Sequence, residues 1–441
     1  MKKIFKKISV FFFILLISLC LVSCKEDTPT PEPSDVDYVE TLKLDMGSET
    51  LKQEVTVKNY IDGDTTHFYV PNSVDSSGVL KARYLAINTP ESTGKIEEWG
   101  KKASKFTKEK LSNATSIMIE SDDNKWNLDS TGGRYLVWIW YKTSESSDYR
   151  NLNVEILQNG LAIASNSANN RYGEVCVNAI NKAKKEKLNI YSGEKDPDFF
   201  YGGPIEITLK ELRTNIQEYD NVKVSFEGVI TRNYNNSIYV EDYDEETGLY
   251  FGMTVYLGYN LSGEGLSIVN VGNRSRIVGT VQYYETGKSY QVSGLQYRIM
   301  RPNDPDNIKL ISEGHEASYT EIDPNDFINS KIKIEVKEDE VKEFAYSDLI
   351  MNTSVSMKNL TVKSVYTTTN EDSSSKGAMT LTCEVNGITI SIRTVPLYDE
   401  NNKLITADYY KGKVIDVKGI VDTFDGNCQI KVFSQKDILI H

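Results

Sequence analysis

Acidic, amide and guanidinium side chains gather in three short segments of this chain: Ile61-Asp62-Gly63-Asp64-Thr65, Arg83-Tyr84-Leu85-Ala86-Ile87-Asn88-Thr89-Pro90-Glu91, and Asp129-Ser130-Thr131-Gly132-Gly133-Arg134-Tyr135-Leu136. Carboxylate and amide oxygens suit a hard cation such as calcium, which takes about six to eight oxygen ligands. Two arginines offer planar pairs of donors to a phosphate group. A further carboxylate near a cation-polarised water can take its proton. Each segment alone is a weak signal, because Asp-Gly-Asp-Thr is a common turn and Gly-Arg pairs are frequent. Their order and intervals, followed by Lys184-Lys185-Glu186-Lys187-Leu188-Asn189-Ile190-Tyr191, are harder to obtain by chance.

Composition narrows the chemistry. The only histidines are His67, His315 and His441, far apart and without a ligand-like spacing. That disfavours Ser-His-Asp hydrolysis, His-ligated zinc and any histidine base. The net charge of −13 is unevenly spread: residues 51–195 hold 20 Lys and Arg against 18 Asp and Glu, residues 196–441 hold 24 against 37. The segment carrying the three motifs is thus mildly basic. The acidic remainder makes a poor grip for a polyanion.

Periodicity supplies elements to position these residues. Strand patterns cover Val55–Val57, Thr66–Val70 and Val79–Ile87, with a turn at Ile61–Asp64. A helix from about Trp99 to Leu111 puts Ala103, Phe106 and Leu111 on one face, its lysines mostly elsewhere and in solvent. Strands at Ser116–Ser121 and Arg134–Tyr141 follow, then helices near Asn151–Asn159 and Tyr172–Lys187. Cys176 lies on the apolar stripe of the last helix, as a core thiol would. Five strands with inserted and appended helices suggest an OB-type barrel.

These motifs resemble the staphylococcal-nuclease-like (thermonuclease) family over about residues 52–195. The resemblance implies calcium-dependent cleavage of DNA and RNA phosphodiester bonds. Matched position by position, it implies Asp64 as a carboxylate ligand of one calcium ion, Asn88 in place of a second aspartate ligand, and Thr89 as a main-chain carbonyl ligand. It implies Glu91 as the group that positions or deprotonates the attacking water, and Arg83 and Arg134 as the holders of the scissile phosphate. Asp62 and Asp129 are read as structural. Asn88 keeps an oxygen but removes a charge, which predicts weaker calcium affinity or an altered metal preference. The family's stacking tyrosines have no counterpart near Asn166–Ala168, with Tyr172 or Trp126 as possible substitutes, and there is one extra residue between Asp129 and Arg134.

The ends of the chain have other signatures. Lys2, Lys3, Lys6 and Lys7 precede an apolar run, Ile8 to Val22, that ends in Leu21-Val22-Ser23-Cys24. This reads as an export signal, residues 1–24, with a lipobox whose Cys24 becomes acylated and holds the protein on the outer face of the bacterial membrane. A Pro-, Asp- and Thr-rich tether, 25–50, leads to the 51–195 domain. After Gly202-Gly203-Pro204, short Tyr-rich strand patterns dominate. Gly272 to Gly279 is echoed by Gly412 to Gly419, with Val222–Thr231 and Val355–Val365 as first strands of the two units. Two OB-like barrels, 206–312 and 318–441, are expected, with Cys383 and Cys428 able to pair and Glu241–Glu246 a solvated turn. The whole is expected to be mainly β with some α: a staphylococcal-nuclease-type OB barrel (α+β) followed by two smaller OB-like barrels, acting as a monomer on nucleic acid. The competing reading is a catalytically weak surface lipoprotein whose trailing barrels bind nucleic acid, protein or envelope ligands.

Overall fold

The computed structural model describes residues 36–441 apart from positions 94, 95, 167, 168, 259, 260, 262, 286, 338, 339, 371, 372 and 374. The expected export signal, Cys24 and most of the tether's first half lie outside the described residues. Among the described residues no helix is long and apolar enough to cross a membrane.

The first unit runs β1 (Lys52–Asp62), β2 (Thr65–Tyr69), β3 (Val79–Tyr84), β4 (Ile87–Asn88), α1 (Gly100–Ser112), β5 (Ser116–Glu120), β6 (Tyr135–Lys142), β7 (Arg150–Asn151), α2 (Leu152–Gln158), β8 (Ile163–Ala164) and α3 (Gly173–Lys185). Strands β3-β2-β1-β5-β6 hydrogen-bond in that order, and β6 closes in parallel onto β3. Closure leaves these five strands no open edge. Val137 to Tyr141 of β6 are all buried, because one face fills the barrel and the other lies under helices. The indole N–H groups of Trp138 and Trp140 donate to Asp122 and Glu120, each at 2.8 Å. Tyr172 wedges edge-on against both rings and donates to Glu120 at 3.0 Å. Residues 36–50, expected within an extended tether, pack as turns instead: Val39 is buried in the barrel core, and the Tyr38 amide donates to Gln158 at 2.7 Å.

Two more barrels follow. After β9 (Ile205–Glu206) and α4 (Leu209–Thr214) come β10 (Lys223–Tyr234), β11 (Ser237–Asp244), β12 (Leu249–Tyr256), β13 (Arg274–Tyr284) and β14 (Ser289–Ser293). Strands β10-β11-β12-β14-β13 close through β13–β10, with β12 and β14 parallel. Beyond β15 (Lys309–Ser312), β16 (Thr320–Glu321) and the hairpin β17 (Lys331–Lys337)–β18 (Glu340–Ala345), the pattern repeats in β19 (Ser354–Thr367), β20 (Met379–Val385), β21 (Ile388–Thr394), β22 (Val414–Phe424) and β23 (Asn427–Val432). The two glycine-bounded segments of the sequence open the equivalent fourth strands, β13 and β22. The fold is mainly β, as the patterns predict.

The barrels are locked together by buried polar groups. Glu241, expected in a solvated turn, lies inside β11 and is 1% exposed. Its carboxylate accepts from the Ser354 amide at 2.6 Å, the Ser354 hydroxyl at 2.7 Å and the Ser318 amide at 2.9 Å. A buried carboxylate persists where donors replace its water. Ile334 and Leu349 of the third unit enter the core of the second. The α1 lysines are not all in solvent: Lys101 pairs with Asp220 at 3.5 Å and Lys108 with Glu285 at 2.6 Å. Cys176, Cys383 and Cys428 are free thiols, so the considered Cys383–Cys428 pairing does not occur.

Candidate active site in the first barrel

Asp64 sits in the β1–β2 turn. Helix α1 anchors that turn, with Thr107 donating to the Gly63 carbonyl at 2.6 Å. A Cβ on Gly63 would stand 2.9 Å from Ala103 and from Thr89, so only glycine fits between helix and loop. The Tyr84 amide donates to the Asp64 carbonyl at 2.9 Å, and Thr65 faces Arg83 across β2–β3. These contacts carry Asp64 and Arg83 to one end of the barrel.

After Tyr84 the expected strand to Ile87 breaks, because Ala86 takes a left-handed φ of 67°. Buried Asn153 of α2 manages the break: its amide donates to the carbonyls of Leu85 and Val137, at 2.9 and 3.2 Å, and its oxygen accepts from the Ile139 amide at 2.9 Å. The chain then pairs β4 with β8, setting Asn88 opposite Ile163, and Thr89 swings back to Asp64.

Asp64 is fully buried. One carboxylate oxygen accepts from Thr65 at 3.0 Å and from Arg83; the other accepts the Thr89 amide at 2.8 Å. Arg83 also donates to the Asn88 side-chain oxygen. Asp64, Arg83, Asn88 and Thr89 therefore converge, and a guanidinium supplies the positive charge between the two oxygens. The Thr89 hydroxyl is buried and has no partner among the described residues. Among the described residues no three His, Cys, Asp or Glu side chains form a metal cage. A cation at this place would need a mixed set of carboxylate, amide and carbonyl oxygens. Hard oxygens around a compensating positive charge fit calcium.

Arg134 stands immediately before β6. β3 and β6 run parallel, with Ala82 beside Tyr135 and Arg83 beside Leu136, so Arg134 enters the barrel next to β3. It donates through Nε to Asp129 at 2.7 Å, within a loop closed by the Asp129 amide on the Arg134 carbonyl at 2.8 Å. Burial pushes the Asp129 carboxyl up, but hydrogen bonds from Thr131 and Arg134 outweigh it and hold it at about 2. Asp129 is thus a permanently ionised strut for the arginine.

Glu91 is exposed, and its amide donates to Glu97 at 3.2 Å. Its main chain lies under the start of α1, where a Cβ on Gly100 would overlap the Glu91 carbonyl. Gly100→Ala is accordingly expected to shift the Glu91 segment, costing about 1–3 kcal/mol in denaturant titrations and lowering any hydrolytic rate. Unchanged stability and rate would show the segment free to move.

Asp62, by its sequence a structural or ligand-supporting carboxylate, takes a sharper character in the fold. Burial drives its carboxyl up to about 7; donation from Ser92 and the Gly63 amide, both at 2.7 Å, opposes this, and the negative charges of Asp64 and Glu91 add to the rise. A carboxyl near 4 when unfolded and near 7 when folded binds more protons in the native state between those values. Metal-free protein should therefore lose stability as pH rises from about 4 to 7, by a few kcal/mol at most, and stay lower above. Asp62→Asn should flatten that slope in melting curves taken in chelator. A profile identical to wild type would contradict this. Ser92 had no signal beyond its place two residues before the Gly94-Lys95 dipeptide; only the folded loop reveals it.

Residues 81–193 match the family profile of staphylococcal nuclease homologues. The chain carries a staphylococcal-nuclease-like domain. The match begins inside β3, yet β1, β2 and Asp64 belong to the same closed barrel, so the nuclease-like domain extends upstream of it. The family is generally calcium-dependent. Tyr172, considered as a substitute for the nucleotide-stacking tyrosines, is committed to Trp138, Trp140 and Glu120 and is not a free platform. Trp126 is half-buried against the core. Ser167 and Ala168 lie outside the described residues.

Proposed function

We propose that the nuclease-like domain hydrolyses phosphodiester bonds of extracellular DNA and RNA with one calcium ion, and that the protein is held on the outer membrane face by acylated Cys24. The observation that carries this reading is the convergence of Asp64, Asn88, Thr89 and Arg83; Arg134 stands just ahead of β6, the strand that pairs with β3. Calcium, when bound by Asp64, Asn88 and the Thr89 carbonyl, would neutralise phosphate charge and polarise a water.

The chain's own groups do the rest. Arg83 and Arg134 present fixed N–H donors to the non-bridging phosphate oxygens, where negative charge accumulates as phosphorus becomes five-coordinate. Were a cation held by Asp64 and Asn88, Arg83 would be free to turn from their oxygens to phosphate. Glu91 accepts the proton of the attacking water, so its oxygen bonds to phosphorus as the ester oxygen leaves. No histidine is required.

Release of soluble nucleotides from DNA and from RNA by protein lacking residues 1–24, with calcium and with chelator, tests the proposal. Calcium-dependent release is expected; its absence from folded protein under any divalent cation would end the reading. Asn88→Asp restores a charged ligand and is expected to lower the calcium concentration for half-maximal rate about tenfold. An unchanged requirement would place Asn88 outside the cation's reach.

A further inference from the structure

The acidic total of residues 196–441 hides a local reversal. Between the second and third barrels lies a cleft of about 1480 Å³. Corresponding parts of the two barrels form it: the β10–β11 and β13–β14 hairpins of one, the β19–β20 and β22–β23 hairpins of the other. In a barrel of this strand order, these hairpins flank the ligand-bearing face. Here the two faces look at each other, and Lys288 of the β13–β14 hairpin pairs with Asp425 of the β22–β23 hairpin across the opening.

The lining has two components. Aromatic rings project into it: Tyr284, Tyr366 and Phe424 are 47%, 66% and 71% exposed. Exposure of that size on large rings costs hydration and marks a surface that a flat ligand can cover. The second component is cationic. Arg213, Lys288, Lys342, Arg393 and Lys431 line the cleft against the acids Glu218, Asp348 and Asp422. Arg393 is the informative one. Its guanidinium donates to the hydroxyls of Thr380 and Thr368, both at 3.0 Å, and among the described residues no carboxylate pairs with it. In a segment with 37 acidic residues, an inward-facing arginine held by hydroxyls alone keeps its charge for an anion.

We infer that this cleft binds a single-stranded segment of nucleic acid, bases stacked on Tyr284, Tyr366 and Phe424 and backbone phosphate on Arg393. Stacking platforms beside cations recognise single strands of any sequence. The choice of polymer rests on the nuclease reading of the first barrel. It gains support from continuity: the loop that brings Tyr284 and Lys288 to the cleft also contacts the nuclease-like domain, through Glu285 on Lys108. Lys108 in turn stands over the ring of Tyr60 in β1, the strand that ends at Asp62. A strand held in the cleft is thereby kept beside the domain that would cut it.

The test is fluorescence anisotropy of a labelled oligothymidylate of ~20 nucleotides with the chain lacking residues 1–24, in chelator so that cleavage does not intervene. Tyr366→Ala combined with Phe424→Ala should weaken binding about tenfold or more. Arg393→Ala should weaken it and lower the salt-dependence slope by roughly 0.7, with Arg393→Lys restoring the slope. All three side chains are solvent-facing or half-buried, and unchanged melting temperatures would confirm folded variants. Oligothymidylate affinity indifferent to these changes overturns the inference, as does cleft-dependent binding of a neutral oligosaccharide or a peptide without binding of the oligonucleotide. The two readings fail separately. Cleft-dependent binding by a chain that never cleaves removes the nuclease and leaves the cleft, whereas calcium-dependent cleavage with indifferent cleft variants does the reverse.

Discussion

Arg134→Ala is expected to lower the rate of phosphodiester cleavage by about 10²–10³-fold while leaving the barrel folded. The size follows from the position of the charge. A fixed donor aimed at oxygens that become more negative in the transition state stabilises that state more than the bound substrate. The mildness for the fold follows from the surroundings. Arg134 is about one third exposed on its side chain, so its pairing with Asp129 contributes about 1 kcal/mol or less. Asp129 keeps the Thr131 hydroxyl at 2.6 Å and the Thr131 amide at 3.2 Å after the arginine is gone. Single-turnover rates together with melting curves check both halves. A large drop in melting temperature, or a rate within threefold of wild type, would mean that Arg134 is structural.

Arg83→Ala should behave differently, because Arg83 faces a buried charge. The Asp64 side chain is 1% exposed and that of Arg83 18%. Removing the guanidinium leaves a carboxylate with only the Thr65 hydroxyl and Thr89 amide for company, a loss of about 3–5 kcal/mol in metal-free protein. Calcium should recover part of that loss, since it brings positive charge to the same oxygens; cleavage should still fall by at least the factor expected for Arg134. Denaturant titrations in chelator and in calcium give the comparison. Equal destabilisation in both would show that calcium does not approach Asp64.

Much of this arrangement is legible in the residues themselves. The glycine and aspartates of Asp62-Gly63-Asp64 announce a turn, and Arg83 to Glu91 has the strand-then-loop pattern that puts Arg83 and Asn88 at one end of a barrel. An OB-type barrel is expected from the five strands, but the parallel closure of β3 onto β6, which sets Arg83 beside Leu136, has no local signal. Other features escape a one-dimensional reading for physical reasons. Asn153 stands in a short helix and looks like any amphipathic polar residue; its role depends on the backbone groups of Leu85, Val137 and Ile139 that folding brings to it. Glu241 belongs to a run of acids that reads as solvated, because nothing local says that a second barrel will deliver the Ser354 amide to it. Asp62 changes its proton affinity only when burial and two neighbouring carboxylates meet. The cleft cations are invisible in a charge sum, since folding alone decides which charges face inward.

If one calcium and one phosphate bind together at Asp64, Asn88, Thr89, Arg83 and Arg134, each must feel the other. Calorimetry of calcium binding, with and without a cleavage-resistant phosphorothioate dinucleotide, decides this. Two ligands in contact must strengthen each other reciprocally, by about 5–150-fold for a coupling of ordinary size. One calcium ion is expected to bind, tightened by the dinucleotide within that range and lost in Asp64→Asn. Calcium affinity indifferent to the dinucleotide, or retained in Asp64→Asn, would contradict it.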